Sequence, residues 1–279
     1  MRSMLRFRKI ILGLHPATIN RESIELAAEL ADLLGAALQG VFIEDESLKE
    51  LAAASPIREF RLSSREWRTV DANRLAEELE LAARSAKRLL EDIALERGVK
   101  SIFEVLARES VAEFLRLAQP YDLLVVSKVD NPQERLASQL EASSESLSTT
   151  ILLPKRVMRR KGSVVGLALS GDSTLRVAAS IAHAVGERLL LFFPAEGPDD
   201  ETLVEAVRAA GVQPSIAELR RLPKIDTQSF LAALQPLEER VIVLPRLRGD
   251  AAGYVDPARV VSRRSVPVMI VDPQAGFES

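Results

Sequence analysis

The chain has 279 residues, enough for about two domains. Its net charge is −3, with Lys and Arg interspersed among Asp and Glu, so it lacks the basic field with which a dedicated nucleic-acid binder neutralises phosphates. It has no cysteine, which excludes disulfides, thiolate catalysis and Cys-ligated zinc, and its two histidines, His15 and His183, leave little for a zinc or iron site.

Met1 to Ile10 is basic but lacks the apolar stretch and cleavage site of a signal peptide, and no apolar run reaches the ~20 residues that span a bilayer. A bacterial-type cytoplasmic location is the expectation. In chain order, Ile10 to Leu14 is a continuous apolar run with β-branched members, the mark of a strand buried on both faces. Ile24, Ala27, Ala28, Ala31 and Leu34 then recur at helical spacing, Gly35 stands where it would close the helix, and Leu38 to Ile43 reads as a second strand. Leu75, Leu79, Ala82, Ala86, Leu89 and Ile93 mark one face of a long helix ending at Gly98. Its Glu77, Glu78 and Glu80 read as a solvated face.

The same grammar returns. Val164 to Leu169 is an apolar strand, Ser170-Gly171-Asp172-Ser173 a turn with Asp172 or Ser173 as helix N-cap, and Val177, Ile181 and Val185 a helix face closed by Gly186. Leu189 to Phe193 follows as a strand. Asp122 to Val126 parallels Arg240 to Leu244, and Thr150 to Leu153 parallels Pro267 to Ile270, at nearly equal offsets. The opening strands are offset by more, so the first copy carries an insertion. The expected domains are 1–158, with the insertion around 46–73, and 162–273, joined across the basic stretch between Pro154 and Gly162. That stretch reads as a solvated linker, with a phosphate- or RNA-contacting patch as the alternative. Each copy reads β-α-β-α-β-α-β-α-β, so the expected fold is α/β: two tandem doubly wound parallel-sheet, Rossmann-like domains.

Leu33-Leu34-Gly35-Ala36, Tyr121 to Val126, Gly171-Asp172-Ser173 and Val266 to Val271, taken in order, resemble the universal stress protein domain. The resemblance covers nearly the whole chain as two tandem copies. It implies an internal pseudo-dimer with Ile151 to Leu153 beside Val268 to Val271, covering edges that invite aggregation. It also implies a stress-response role. Many members bind ATP through a loop after the fourth strand, with closely spaced glycines and, further on, Gly-Ser or Gly-Thr. Such glycines let backbone N–H groups close on phosphate.

Neither copy keeps that pattern. The first has Ser127 to Pro132 without glycine, and Ala137-Ser138 where Gly-Ser belongs. The second has Gly249 and Gly253 at the wrong spacing, and Tyr254-Val255 at the Gly-Ser position. His15 takes the place of the aspartate that relatives hold beside adenine, and Ser170 takes it in the second copy. The candidate ligand residues are therefore Gly171, Asp172, Ser173, Arg246, Arg248, Gly249, Gly253, His15 and Ser138.

Each has a plainer alternative. His15 is a general base or a turn residue; Gly171 to Ser173 face phosphate or only cap a helix; Arg246 and Arg248 grip an anion or are solvated. His183 reads as a helix-surface or partly buried residue. Trp67, the sole tryptophan, anchors a lid or partner, or pins its loop onto its own domain, the reading favoured here. The leading expectation is a non-catalytic stress-response or regulatory module with no cofactor, acting on an unidentified protein partner and binding neither nucleic acid nor membrane. Homodimerisation of the tandem chain stays open. The alternatives are an adenine-nucleotide sensor using the second copy and a nucleotide hydrolase, which lacks an assembled nucleophile–base set.

Overall fold

The computed structural model describes residues 7–16, 19–44, 58–61, 65–69, 72–106, 117, 122–127, 149–154, 161–169, 173–209, 213, 216–246 and 254–272. β1 (Lys9–Leu14) and β2 (Ala37–Ile43) are buried along most of their length, as a strand with neighbours on both sides and side chains packed on both faces must be. Between them runs α1 (Arg21–Leu34). Asn20 starts it, its Oδ1 accepting the Ser23 N–H at 2.6 Å, and Gly35 at φ 62° ends it in the left-handed conformation that costs glycine least. α2 (Ala72–Glu96) lays Leu79, Ala83, Ala86, Leu90 and Ile93 on the core and keeps Glu77, Glu78 and Glu80 exposed. β5 (Ser101–Leu106), β6 (Asp122–Ser127) and β7 (Thr149–Leu153) complete this half.

The later half contains β8 (Ser163–Leu167), α3 (Ser173–Val185), β9 (Leu189–Pro194), α4 (Asp200–Ala209), β10 (Ala217–Leu222), α5 (Thr227–Leu234), β11 (Glu239–Pro245), α6 (Pro257–Arg264) and β12 (Val268–Val271). β8 stops at Leu167, two residues before its apolar run ends. Gly166 within it lets α3 approach: a Cβ there would stand 2.8 Å from Leu191 Cδ2 and 3.1 Å from Ala178 Cβ.

Ten strands form one sheet in the order β10-β9-β8-β11-β12-β7-β6-β1-β2-β5. Neighbours are parallel except at the centre, where β12 and β7 run antiparallel with Val268 opposite Leu152 and Met269 opposite Ile151. Side chains of α1, α2, α3 and α4 join the core on one face of the sheet, and those of α5 and α6 join it on the other. Phe192 of β9 meets Phe230 of α5 edge-to-face, with ring centroids 5.5 Å apart, worth about 0.5–1.5 kcal/mol beyond burial.

The inserted region contains a hairpin that periodicity did not reveal: β3 (Arg58–Arg61) pairs antiparallel with β4 (Glu66–Thr69) in a separate two-stranded sheet. Trp67 is 59% exposed and packs on Phe60 across this hairpin, centroids 5.3 Å apart, so the favoured expectation that it pins its loop onto the domain is corrected. His183 is exposed on α3.

Candidate functional site

Ligands of open α/β sheets sit outside the carboxyl ends of the strands, where the strand order reverses. Here that point falls between β1 and β6 in one half and between β8 and β11 in the other. Because β7 and β12 are antiparallel, the two crevices open at opposite edges of the sheet. His15, directly after β1, therefore lies at one edge, while Ser173 and Arg246 lie at the other. Gly171, Asp172, Arg248, Gly249, Gly253 and Ser138 lie outside the described residues.

At the second crevice, Ser173 is fully buried and is the first residue of α3. Its Oγ donates to the Asp272 carbonyl at 2.5 Å, tying the start of α3 to the end of β12. Ser173 thus stands inside the first turn of α3, and Asp172, the other N-cap candidate, lies outside the described residues. Arg246 follows β11, and its backbone N–H donates to the Val271 carbonyl at 2.6 Å. Its Nη2 donates to Thr150 Oγ1 at 2.9 Å, reaching past β12 to buried Thr150 of β7 in the other half.

Beyond the loop, Val255 is buried in the core beneath α6, and Asp256 caps that helix. The Asp256 carboxylate accepts the Arg259 N–H at 3.1 Å, Pro257 occupies the first turn, and the Asp256 N–H donates to Thr227 Oγ1 at 2.9 Å. A helix N-terminus is the natural seat for a phosphate, and this one already holds a carboxylate. Sequence reasoning missed the cap, although Asp followed by Pro at a helix start was a usable signal. At the first crevice, His15 is half-buried and its carbonyl accepts the Ile19 N–H at 3.1 Å, closing the turn into α1.

The amino ends of β6 and β11 hold a feature that the sequence reading also missed. Asp122 and Glu239 each open their strand fully buried. Asp122 accepts from Arg8 Nε at 3.2 Å and Nη2 at 3.0 Å, and Lys9 Nζ lies 3.9 Å away. Glu239 is held by Arg264 through Nε at 2.5 Å and Nη2 at 2.8 Å, and the same Nη2 donates to the Leu234 and Leu237 carbonyls. The hydrogen bond to Glu239 raises the Arg264 guanidinium above its usual pKa, and that to Asp122 does the same for Arg8. An acidic residue opening an otherwise apolar strand was the available signal. Both pairs sit at the strand ends away from the crevices and serve packing.

Among the described residues, no helix is long and apolar enough to cross a membrane, and no group of three His, Asp or Glu side chains is placed to hold a metal.

Sheet and crevices together define a doubly wound, Rossmann-like α/β protein with the strand direction reversed at its centre. The sequence matches no family model and no curated protein. Solved structures do match. A universal stress protein from Archaeoglobus fulgidus DSM 4304 superposes with a TM-score of 0.62 at 14% identity, over 96% of this chain and 98% of that one. A Pseudomonas aeruginosa UCBPP-PA14 protein assigned as a universal stress protein gives 0.52 at 15% identity, over 97% and 95%. A functionally unknown protein from Pseudomonas aeruginosa PAO1 gives 0.52 at 14%, over 97% and 94%. The chain has the universal stress protein fold.

Proposed function

We propose that this chain is a tandem universal stress protein that serves as a non-catalytic stress-response or regulatory module, acting through its surfaces and not through the ATP site usual for that group. The observation that carries the reading is the Asp256 carboxylate seated on the α6 N-terminus, where a phosphate would otherwise meet backbone N–H groups. The engagement of Ser173 with Asp272 and of Arg246 with Thr150 supports it, since both polar groups hold the sheet together. So does the loss of the glycine spacing in both copies. Native mass spectrometry of gently purified protein, followed by thermal shift with ATP, tests it. The expected result is the bare chain mass and a melting temperature that ATP leaves unmoved.

A second reading, an adenine-nucleotide sensor, draws on the start of α3 beside Gly171 and Asp172 at the second crevice. A co-purifying adenine nucleotide that is lost in Gly171→Trp would replace the first reading with this one.

A further inference from the structure

β5 is the outermost strand on one side of the ten-stranded sheet. The Leu38 N–H donates to the Lys100 carbonyl at 2.8 Å, the Glu44 N–H donates to the Leu106 carbonyl at 3.0 Å, and Leu38 stands opposite Ser101. In a parallel ladder this phase turns the backbone groups of Ile102 and Glu104 toward β2, and those of Ser101, Phe103 and Val105 outward. Among the described residues no strand lies beyond them. Ile102 and Val105 are 42% and 47% exposed, and Glu104 is the only charged residue in the strand.

The opposite edge is built otherwise. β10 carries Glu218, Arg220 and Arg221. Arg220 pairs with Glu218 at 2.7 Å, and Arg221 donates to the Pro194 and Pro198 carbonyls and to Asp200. Charge on an edge strand discourages pairing, and β5 carries it at Glu104 alone.

We propose that β5 pairs antiparallel with β5 of a second copy of this chain, about a twofold axis passing through Phe103. A twofold perpendicular to the sheet keeps each side chain on its own face, so only residues of like parity can stand opposite one another. With the axis at Phe103, Phe103 faces Phe103 of the second copy and Ser101 faces Val105 in both directions. These are the three residues whose backbone groups point outward, and each pair exchanges two hydrogen bonds. Ile102 then faces Glu104. Moving the axis to Glu104 would oppose two carboxylates directly, which is destabilising. The β7–β12 junction already joins two stretches of this sheet by the same antiparallel pairing. The contact is short, so the affinity lies at the weak end, on the order of micromolar. This inference is independent of whether the chain binds nucleotide.

Sedimentation velocity of the full chain from about 1 to 100 µM tests it, the upper value being well above a micromolar dissociation constant. Val105→Pro deletes an outward N–H and takes nothing from the β2 ladder, and Ile102→Glu spares every backbone group while setting a carboxylate opposite Glu104 of the second copy in both directions. The expected result is a concentration-dependent dimer of the parent chain, and monomers of both variants with unchanged circular dichroism. Protection of the Phe103 and Val105 amides from hydrogen exchange should rise with concentration in the parent chain alone. A parent chain that stays monomeric across the range overturns the proposal. So does a dimer that survives in Ile102→Glu, the variant that decides if Val105→Pro fails to fold.

Discussion

Asp122 and Glu239 open corresponding strands of the two halves, β6 and β11, and both are completely buried, yet the cations that meet them come from different places. Asp122 is met by Arg8, which enters from the residue before β1 and keeps 56% of its side chain in water. Glu239 is met by Arg264 of α6, which is 15% exposed and also satisfies two carbonyls near the end of α5. Burial desolvates both carboxylates equally, so the difference lies in how replaceable each partner is. Loss of Arg8 removes a cation that is already half in water and leaves Lys9 3.9 Å from Asp122, while loss of Arg264 takes two hydrogen bonds from Glu239 deep in the protein. Sharing a strand order thus does not oblige two halves to share an electrostatic solution.

The largest expected effect follows directly. Arg264→Met should cost about 3–5 kcal/mol of unfolding free energy, the range for removing one partner of a buried pair. Arg8→Met should cost about 1 kcal/mol or less, as for an exposed cation. Urea titration of both variants would break the comparison if the two losses were equal or reversed.

A medium effect concerns the join between the halves. A β-bulge lies between Glu239 and Val241, and the residue within it, Arg240, donates to Glu29 of α1 at 2.5 Å, while Arg97 lies 3.8 Å from the same carboxylate. Bulges re-aim side chains, and this one sends a cation across the molecule. No such bulge interrupts the pairing of β6 with β1. A double-mutant cycle with Glu29→Gln and Arg240→Gln should return a coupling of about 1–2 kcal/mol. A coupling near zero would mean that the bulge does not join the halves energetically.

The smallest effect is a pH dependence confined to the later half. Asp226 caps α5, and the hydrogen bond from the Ser229 backbone N–H holds its carboxyl below the usual aspartate range. Its folded pKa is thus lower than its unfolded one. The stability it adds is fully present at neutral pH and is lost as pH falls below the unfolded value toward the folded one. Melting curves should show the parent chain ahead of Asp226→Asn at pH 7 and the gap closing in acid. A gap that persists at the lowest pH would assign the cap's contribution to shape and not to charge.

Much of the architecture was legible because its signals are local. Gly35, Gly98 and Gly186 end helices at positive φ where helical periodicity stopped, and the apolar runs opening at Ile10, Leu38, Val164 and Leu189 became strands of the parallel sheet. The hairpin at Phe60 and Trp67 was not legible, since its short strands carry arginines and glutamates with no clean alternation. The candidate site fared less well. Ser173, Arg246 and His15 were identified as residues of interest, but their partners, Asp272, Thr150 and Ile19, were not.

By itself, then, the sequence determined the succession of strands and helices, the ends of those helices and the doubly wound class, because periodicity and caps act over a few residues. Only the tertiary structure decided that His15 and Arg246 face opposite edges, that Ser173 and Arg246 bind the sheet together, and that β5 is left open where β10 is charged and tied. Those outcomes depend on antiparallel pairing at β7 and β12 and on contacts between residues far apart in the chain, which no local pattern encodes.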